Sequence, residues 1–488
     1  MMSAVSGQSI QPGWEAKAEL LLQAGGFLLI FFFVFFWFFR RHFWKEPEAR
    51  HLFFLTILIL MLVVVGKFVI FYVSKGYIPD RALFFALPSP KWSSFGWMSI
   101  ASLPLCFLWF VRGKLQQWVP AHFLLSVWFM FVLFSLGVAG LREGTTGIYE
   151  PFTRTQLEYT GDEELIESVP QFLREYVSLN PQLSLHGATH PPGYALLLHL
   201  LKGIFQVEIF GLSVLMVMLG GLVVFPLYYF WRYFIPEDKL RQVLLIYAFT
   251  PSLVMFSATS MDIATPVSFW LALLISFLGW RKGNILSVVG GVLAGVALLM
   301  NFLFLFFALV FLVFFICRFK EVQTSERITL VKRGVWTITG FLGFLVMVYE
   351  ITGYSPVANF LVANAVHHGV VSTGASSAVT YLLFALINLV AFFLFLGVPT
   401  VILFFWHGIK NFFTRENILS SFGFFVVLFF VLSGLFQGEV ERIWLFLTPL
   451  FLPAMYRSIE KSTVSYPVVI SLLVLQIVVI QTLFYTYW

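Results

Sequence analysis

Apolar runs long enough to cross a bilayer recur along almost the whole chain. They fall near 21–39, 52–73, 94–111, 119–141, 208–231, 241–259, 263–280, 284–300, 302–317, 334–352, 380–406, 418–436, 442–456 and 464–486. A spanning helix needs about 20 predominantly apolar residues, so the pattern predicts fourteen spans. By far the longest polar stretch between them is 142–190. The run at 21–39 ends in Arg40-Arg41 with no small-residue cleavage site, so it reads as a span and not as a cleaved signal.

Composition narrows this to one class. Of 488 residues, 60% are apolar and 11% charged, against about 25% charged in soluble domains. That much apolar surface needs lipid to cover it, which makes the chain an all-α polytopic membrane protein. The net charge of +6 comes from sparse charges in loops and forms no basic patch, so nucleic acid is not an expected partner. The two cysteines, Cys106 and Cys317, lie in apolar runs and suggest neither a disulfide framework nor a thiolate metal site.

Lys and Arg in short loops set the orientation. Arg40, Arg41, Lys45 and Arg50 put the first connection in the cytoplasm, and alternation assigns the rest. The cytoplasmic connections then hold 20 of the 30 basic residues but only 8 of the 24 acids. Residues 191–206, PPGYALLLHLLKGIFQ, look like another span, but counting them would place Arg232 and Arg241 outside and invert every later loop. They are therefore expected to enter the outer membrane region without crossing. Lys75, Arg81 and Lys91 in the 74–93 loop run against the rule.

The outer side is where polar chemistry collects. The 142–190 loop carries eight acids and three bases, and its Leu165, Val169, Phe172, Leu173 and Val177 follow the spacing of short amphipathic surface helices. Thr160-Gly161-Asp162 is the expected cap of the first of these. Alternation also puts Asp262, Asn301, the His367–His368 pair in the 353–379 loop, and Glu439, Glu441 and Arg442 on this side, with His186 and His190. Each has a bland explanation taken singly: Asp262 as a helix cap, Arg442 as a snorkelling anchor, the histidines as loop polar groups. Their convergence on one face points instead to an interfacial cavity of carboxylates, imidazoles and a guanidinium, since charges at the bilayer edge persist when paired, wet or functional. No P-loop, GxGxxG, HExxH or GxSxG pattern competes with it.

The order of these motifs resembles the GT-C superfamily of multispanning glycosyltransferases that use polyprenyl-phosphate-linked sugars, in the branch of protein O-mannosyltransferases and lipid A aminoarabinose transferases. That branch opens its first large external loop with an acidic D-E pair and follows it with K-P-P-L. Here Asp162-Glu163 is followed by His190-Pro191-Pro192-Gly193, with His190 28 residues after Asp162. The branch's P-x(n)-D-x-x-L pattern is similar to TPSLVMFSATSMDIATPVSFWLALL, with Asp262. Its glycine-rich fifth motif is similar to GGVLAGVALLMNF, and its C-terminal basic residue before Y-L-L-P-x-x-P is similar to Arg442 in ERIWLFLTPLFLP. The likeness covers about residues 119–457. His190 and Gly193 stand where the branch has Lys and Leu, and Asn301 where it has Lys.

The resemblance implies a GT-C-like bundle of about 13–15 transmembrane helices, with residues 116–488 as the catalytic module and 1–115 as a three-span N-terminal extension. It implies an inverting transfer of a sugar from a polyprenyl-phosphate donor to a lipid, glycan or protein acceptor at the extracytoplasmic face of the cell membrane. Such a reaction needs a base for the acceptor hydroxyl and cationic or donor groups for the departing phosphate. Asp162 is the expected base, with Glu163 next, and Asp262 orients the acceptor or a loop helix. Arg442 is the expected phosphate partner, assisted by His190 and Asn301, because a guanidinium is always charged and forks onto phosphate oxygens. His186, His367, His368, Glu439 and Glu441 are left as substrate or divalent-metal ligands, which the spacing does not decide between. Two other classes share interfacial charges: a polysaccharide polymerase or ligase using a pyrophosphate donor, and a transporter or lipid flippase. Transporters place ionisable groups near the midplane, whereas Lys67 and Glu350 lie toward the outer ends of their spans.

Overall fold

The computed structural model describes residues 14–73, 86–371, 377–407, 418–436 and 438–486. Helices dominate: α1 (Trp14–Lys45), α2 (Pro47–Val73), α3 (Phe95–Val111), α4 (Pro120–Glu143), α5 (Gly193–Phe205), α6 (Ile209–Gly221), α7 (Val224–Trp231), α8 (Glu237–Ala248), α9 (Pro251–Phe256), α10 (Ala264–Lys282), α11 (Asn284–Met300), α12 (Phe304–Glu321), α13 (Thr324–Thr352), α14 (Pro356–Val371), α15 (Ala378–His407), α16 (Ile418–Leu432), α17 (Leu452–Lys461) and α18 (Tyr466–Leu483). The strand content among the described residues is one antiparallel pair, Leu87–Pro88 on Phe484–Tyr485.

Seven of the described helical segments are long and apolar enough to cross a membrane, and five shorter apolar helices accompany them. The fold is that of a multi-pass membrane protein. Burial sorts the spans by position. In α18, 83% of the most apolar window is buried, against 22% in α2 and 17% in α13, so α18 is central while α2 and α13 turn most of their apolar side chains outward. An exposed apolar face on a helix of spanning length is what lipid covers. The three N-terminal helices are not a separate body: α1 and α2 pack on α18, and α2 also packs on α15.

Among the fourteen expected runs, two are broken into separate segments at or near a proline. The 241–259 run divides into α8 and α9 at Thr250-Pro251, and the 442–456 run opens as a 3₁₀ segment, Leu445–Phe451, before α17. Pro251 and Pro449 lack the backbone N–H that a continuous helix needs. Irregular backbone at membrane depth is tolerated where protein buries it, and both segments are buried throughout. The Trp270 indole donates to the Phe446 carbonyl at 3.0 Å, satisfying one group the break frees. The 353–379 stretch, expected as a loop, contains α14.

A third irregularity is stitched by one side chain. Helix α15 kinks at Gly397, where φ is 109°, two residues before Pro399. Gln476 of α18 accepts from the Val398 N–H at 2.8 Å and donates to the Leu394 carbonyl at 2.7 Å. Replacing Gln476 with Leu leaves a buried donor and a buried acceptor unpaired, so Gln476→Leu is expected to remove about 2–4 kcal/mol of stability. The readout is a lower Tm of the detergent-purified protein with unchanged helix content.

The GGVLAGVALLMNF segment forms α11, and its glycines serve close packing. A Cβ on Gly291 would lie 2.0 Å from the Thr337 carbonyl oxygen of α13, the small-residue approach that membrane helices use.

The connections expected in the cytoplasm are tied to one another. Arg241 donates to the carbonyls of Leu115, Gln116 and Trp118, Arg333 to those of Trp280 and Arg281, and Glu48 meets His407 and Thr463. Helix α5 has 13 residues, about 20 Å at 1.5 Å per residue, which is shorter than the roughly 30 Å hydrocarbon core.

Candidate functional site

The 142–190 loop folds as short helical turns whose job is to hold side chains. The apolar pattern is shifted from the expected one: Ile166, Phe172, Leu173 and Tyr176 are buried, whereas Leu165 and Val169 are exposed. Thr160-Gly161-Asp162 does not cap a helix but lies inside the short helix Thr160–Glu163, where Thr160 Oγ1 donates to the Phe152 carbonyl at 2.7 Å. The cap in this loop is Ser184, whose Oγ accepts from the Gly187 N–H at 3.0 Å and starts the turn Leu185–Thr189. That turn carries His186 and leads into His190.

Asp162 is the anchor of this turn. It is fully buried, and its carboxylate accepts from the Ser184 N–H at 2.6 Å and the Ser184 hydroxyl at 2.8 Å. Burial pushes its carboxyl above the usual range despite those two hydrogen bonds. Gly187 also closes on it, since a Cβ there would lie 2.1 Å from Asp162 Oδ2. From behind, Tyr176 donates to the carbonyls of Gly187 and His190 at 2.9 and 3.2 Å, and the Asn180 amide donates to the Ala188 carbonyl at 2.9 Å. Helix α14 packs against the same turn.

Above this platform the polar groups from four distant segments meet. His186 Nδ1 lies 3.3 Å from Glu158 Oε2. The Tyr159 ring packs between them and α5, 5.8 Å from His186, 6.1 Å from His190 and 5.0 Å from Tyr194. Tyr194 is hydrogen-bonded to Thr265 and accepts from the Asn301 amide at 3.3 Å. Arg442, buried on the turn Val440–Ile443, donates through Nη2 to Glu439 at 2.7 Å. Its Nε lies 3.1 Å from Asp262 Oδ2, outside hydrogen-bond alignment. Asp262 in turn accepts from the Ser260 hydroxyl at 2.9 Å.

Electrostatics couples these groups into one site. Burial lowers the His186 pKa, but the Glu158 carboxylate beside it more than compensates and holds the imidazole above its usual value. His190 goes the other way: burial pushes it down, aided by His186 and Arg442 and opposed by Asp262. One histidine is thus biased toward the charged form and the other toward the neutral form.

This asymmetry has a testable sign. A histidine depressed in the folded state binds its proton more readily when unfolded, so stability falls as pH drops from the ordinary value near 6.5 towards about 4 for His190. The raised His186 contributes in the window above 6.5, where stability is lost as pH rises. Thermal unfolding of wild type and His190→Gln between pH 6.5 and 4 is expected to converge with falling pH, the variant losing less stability than the wild type. Parallel curves would contradict the buried neutral imidazole.

Of the residues singled out by sequence, His186, His190, Asp262, Asn301, Glu439 and Arg442 come together here. Asp262 is not itself a cap but sits in the 3₁₀ turn Met261–Ile263 that Ser260 caps. Asn301 supports Tyr194 and also accepts from the Leu303 N–H. Glu441 is buried beside them, with both carboxylate oxygens lacking a hydrogen bond, and it feels the charges of Glu439, Arg442 and, from α2, Lys67. Glu163 is engaged elsewhere, with Lys202 at 2.6 Å and His199 at 3.2 Å. His367 is exposed on α14, and the side chain of His368 lies outside the described residues. Among the described residues no group of three or more His, Cys, Asp or Glu is placed to hold a metal ion.

Glu158, Tyr159 and Tyr194 are the site residues that sequence reasoning missed. Their signal was adjacency alone: two immediately precede TGDE and the third closes HPPGY. No protein-family model and no curated protein sequence matches the chain.

Proposed function

We propose that the protein is a GT-C-like glycosyltransferase that moves a sugar from a polyprenyl-phosphate donor to an acceptor hydroxyl at the outer face of the cell membrane. The observation that carries this reading is Arg442, a buried guanidinium held between Asp262 and Glu439 beside a histidine paired with a carboxylate. Guanidinium forks onto phosphate oxygens, and a His–carboxylate pair is a general-base arrangement. In support, an apolar groove of about 410 Å³ runs from Phe304, about one turn beyond Asn301, past Phe311 and Phe315 to Trp280 and Gly334 at the opposite end of the helices, and its Phe304 end suits the start of a prenyl tail.

In this reading the acceptor oxygen attacks the anomeric carbon as the bond from that carbon to the phosphate oxygen breaks. The electron pair leaves on the phosphate, where Arg442 stabilises the charge. His186, oriented by Glu158, takes the acceptor proton. Asp162 is displaced from the role of base expected for it, because it is shielded from a hydroxyl in the cavity and engaged by Ser184. It acts by fixing the turn that carries both histidines.

Purified protein in proteoliposomes, supplied with radiolabelled polyprenyl-phosphate sugars and membrane-derived acceptors, is expected to transfer label and release polyprenyl phosphate in equal amounts. Failure to transfer from every polyprenyl-phosphate sugar, by protein with native Tm, would overturn the proposal.

A further inference from the structure

The two anions on Arg442 are not equivalent. Asp262 is 11% exposed by side chain and is held by the Ser260 hydroxyl at the start of α10. Glu439 is 43% exposed, and among the described residues its carboxylate is hydrogen-bonded to Arg442 alone. Its backbone is also unusual. Glu439 adopts φ of 56°, a left-handed conformation that a residue with a Cβ enters at a penalty, directly after Gly438 at φ of 103°. Strained non-glycine backbone of this kind persists where the surroundings over-determine it, and it clusters at ligand sites. The surroundings here are specific. Asn388 of α15 donates to the Phe436 carbonyl at 2.8 Å and accepts from the Gly438 N–H at 3.1 Å, while the Glu439 carbonyl accepts from the Arg442 and Ile443 N–H groups. The main chain is pinned on both sides of Glu439 while its carboxylate is left at the edge of the site.

We infer that Glu439 is a place-holding anion: its carboxylate occupies the position on Arg442 Nη2 that the donor phosphate takes, and is displaced when that phosphate binds. The inference rests on the reading of Arg442 as the phosphate partner. A buried guanidinium stripped of its counter-charge is costly. Asp262 supplies one permanently on Nε, and Glu439 supplies a second that is replaced by the phosphate and returns when it leaves. The exchange is a competition, so it weakens the affinity for prenyl phosphate and speeds its departure after transfer. That gives Glu439 a role in turnover without contact with the sugar.

The test uses the full-length protein in detergent micelles and a short-chain prenyl monophosphate as the probe, with binding followed by calorimetry. Glu439→Gln and Glu439→Gly both remove the competing carboxylate, and the glycine variant also relieves the left-handed backbone. Both are expected to bind the probe about five-fold more tightly than wild type, the scale of releasing a partly exposed ion pair. In the transfer assay both are expected to lower KM for the donor and to lower kcat with it, because product leaves more slowly. A carboxylate that merely braces Arg442 would give the opposite result, with weaker probe binding and raised KM in both variants, and that outcome or unchanged binding would overturn the inference while leaving the proposed function standing. Absence of probe binding by wild type and both variants alike would overturn the two together.

Discussion

Arg442→Ala is expected to lower sugar transfer by about 10²- to 10³-fold, the usual loss when a preorganised group facing developing charge is removed. The side chain is buried, so removing it also leaves Asp262 without its counter-charge. A buried charge stripped of its partner is destabilising by about 3–5 kcal/mol, and loss of fold could mimic loss of chemistry. Two companions separate them. Arg442→Lys keeps the charge but loses the two-pronged fork, and is expected to retain the wild-type Tm within a few degrees while losing most activity. Arg442→Ala combined with Asp262→Asn removes both charges, and is expected to recover stability but not transfer. Recovery of transfer in the double variant would show that Arg442 serves only to neutralise Asp262.

His186→Ala carries the second large effect, an expected loss of about 10²- to 10⁴-fold in kcat, the range for a positioned general base. Glu158→Gln keeps the imidazole but removes the carboxylate that raises its pKa. In that variant the acid limb of the pH–rate profile is expected to move to lower pH, because a histidine without its anion gives up its proton more readily. Asp162→Asn distinguishes the two candidate bases. With Asp162 as a support for Ser184, the variant loses about 1–3 kcal/mol of stability and keeps measurable transfer at low temperature. Native Tm with no transfer, together with full activity of His186→Ala, would return the role of base to Asp162.

Much of the fold was legible because lipid imposes a simple rule: a run of about 20 apolar residues is a helix. The exceptions came at Pro251 and Pro449, where continuity of apolar residues was read as continuity of helix. Those residues are apolar because protein buries them, and burial in protein permits breaks that lipid forbids. Charge alternation places Asp262, Asn301 and Arg442 at one end, and the structure gathers them into one cluster. Burial could not be read in the same way. Asp162 and Glu163 are adjacent in a motif-like pair, yet Asp162 faces Ser184 while Glu163 faces Lys202, a division set by the turn and not by residue type. Tyr159 and Tyr194 escaped notice because an aromatic residue in a chain with 61 Phe and 17 Tyr carries no signal. Tyr159 stands between the histidines and α5, and Tyr194 is the α5 residue it meets, an arrangement that exists only in three dimensions.

The most direct test of Arg442 as the donor-phosphate partner is a structure of the protein bound to a polyprenyl phosphate. The phosphate is expected within about 3 Å of the Arg442 guanidinium, the distance of a charge-assisted hydrogen bond, with the prenyl tail entering the apolar groove beside Phe304. A phosphate bound away from Arg442, with Asp262 and Glu439 still closed upon it, would contradict the site described here.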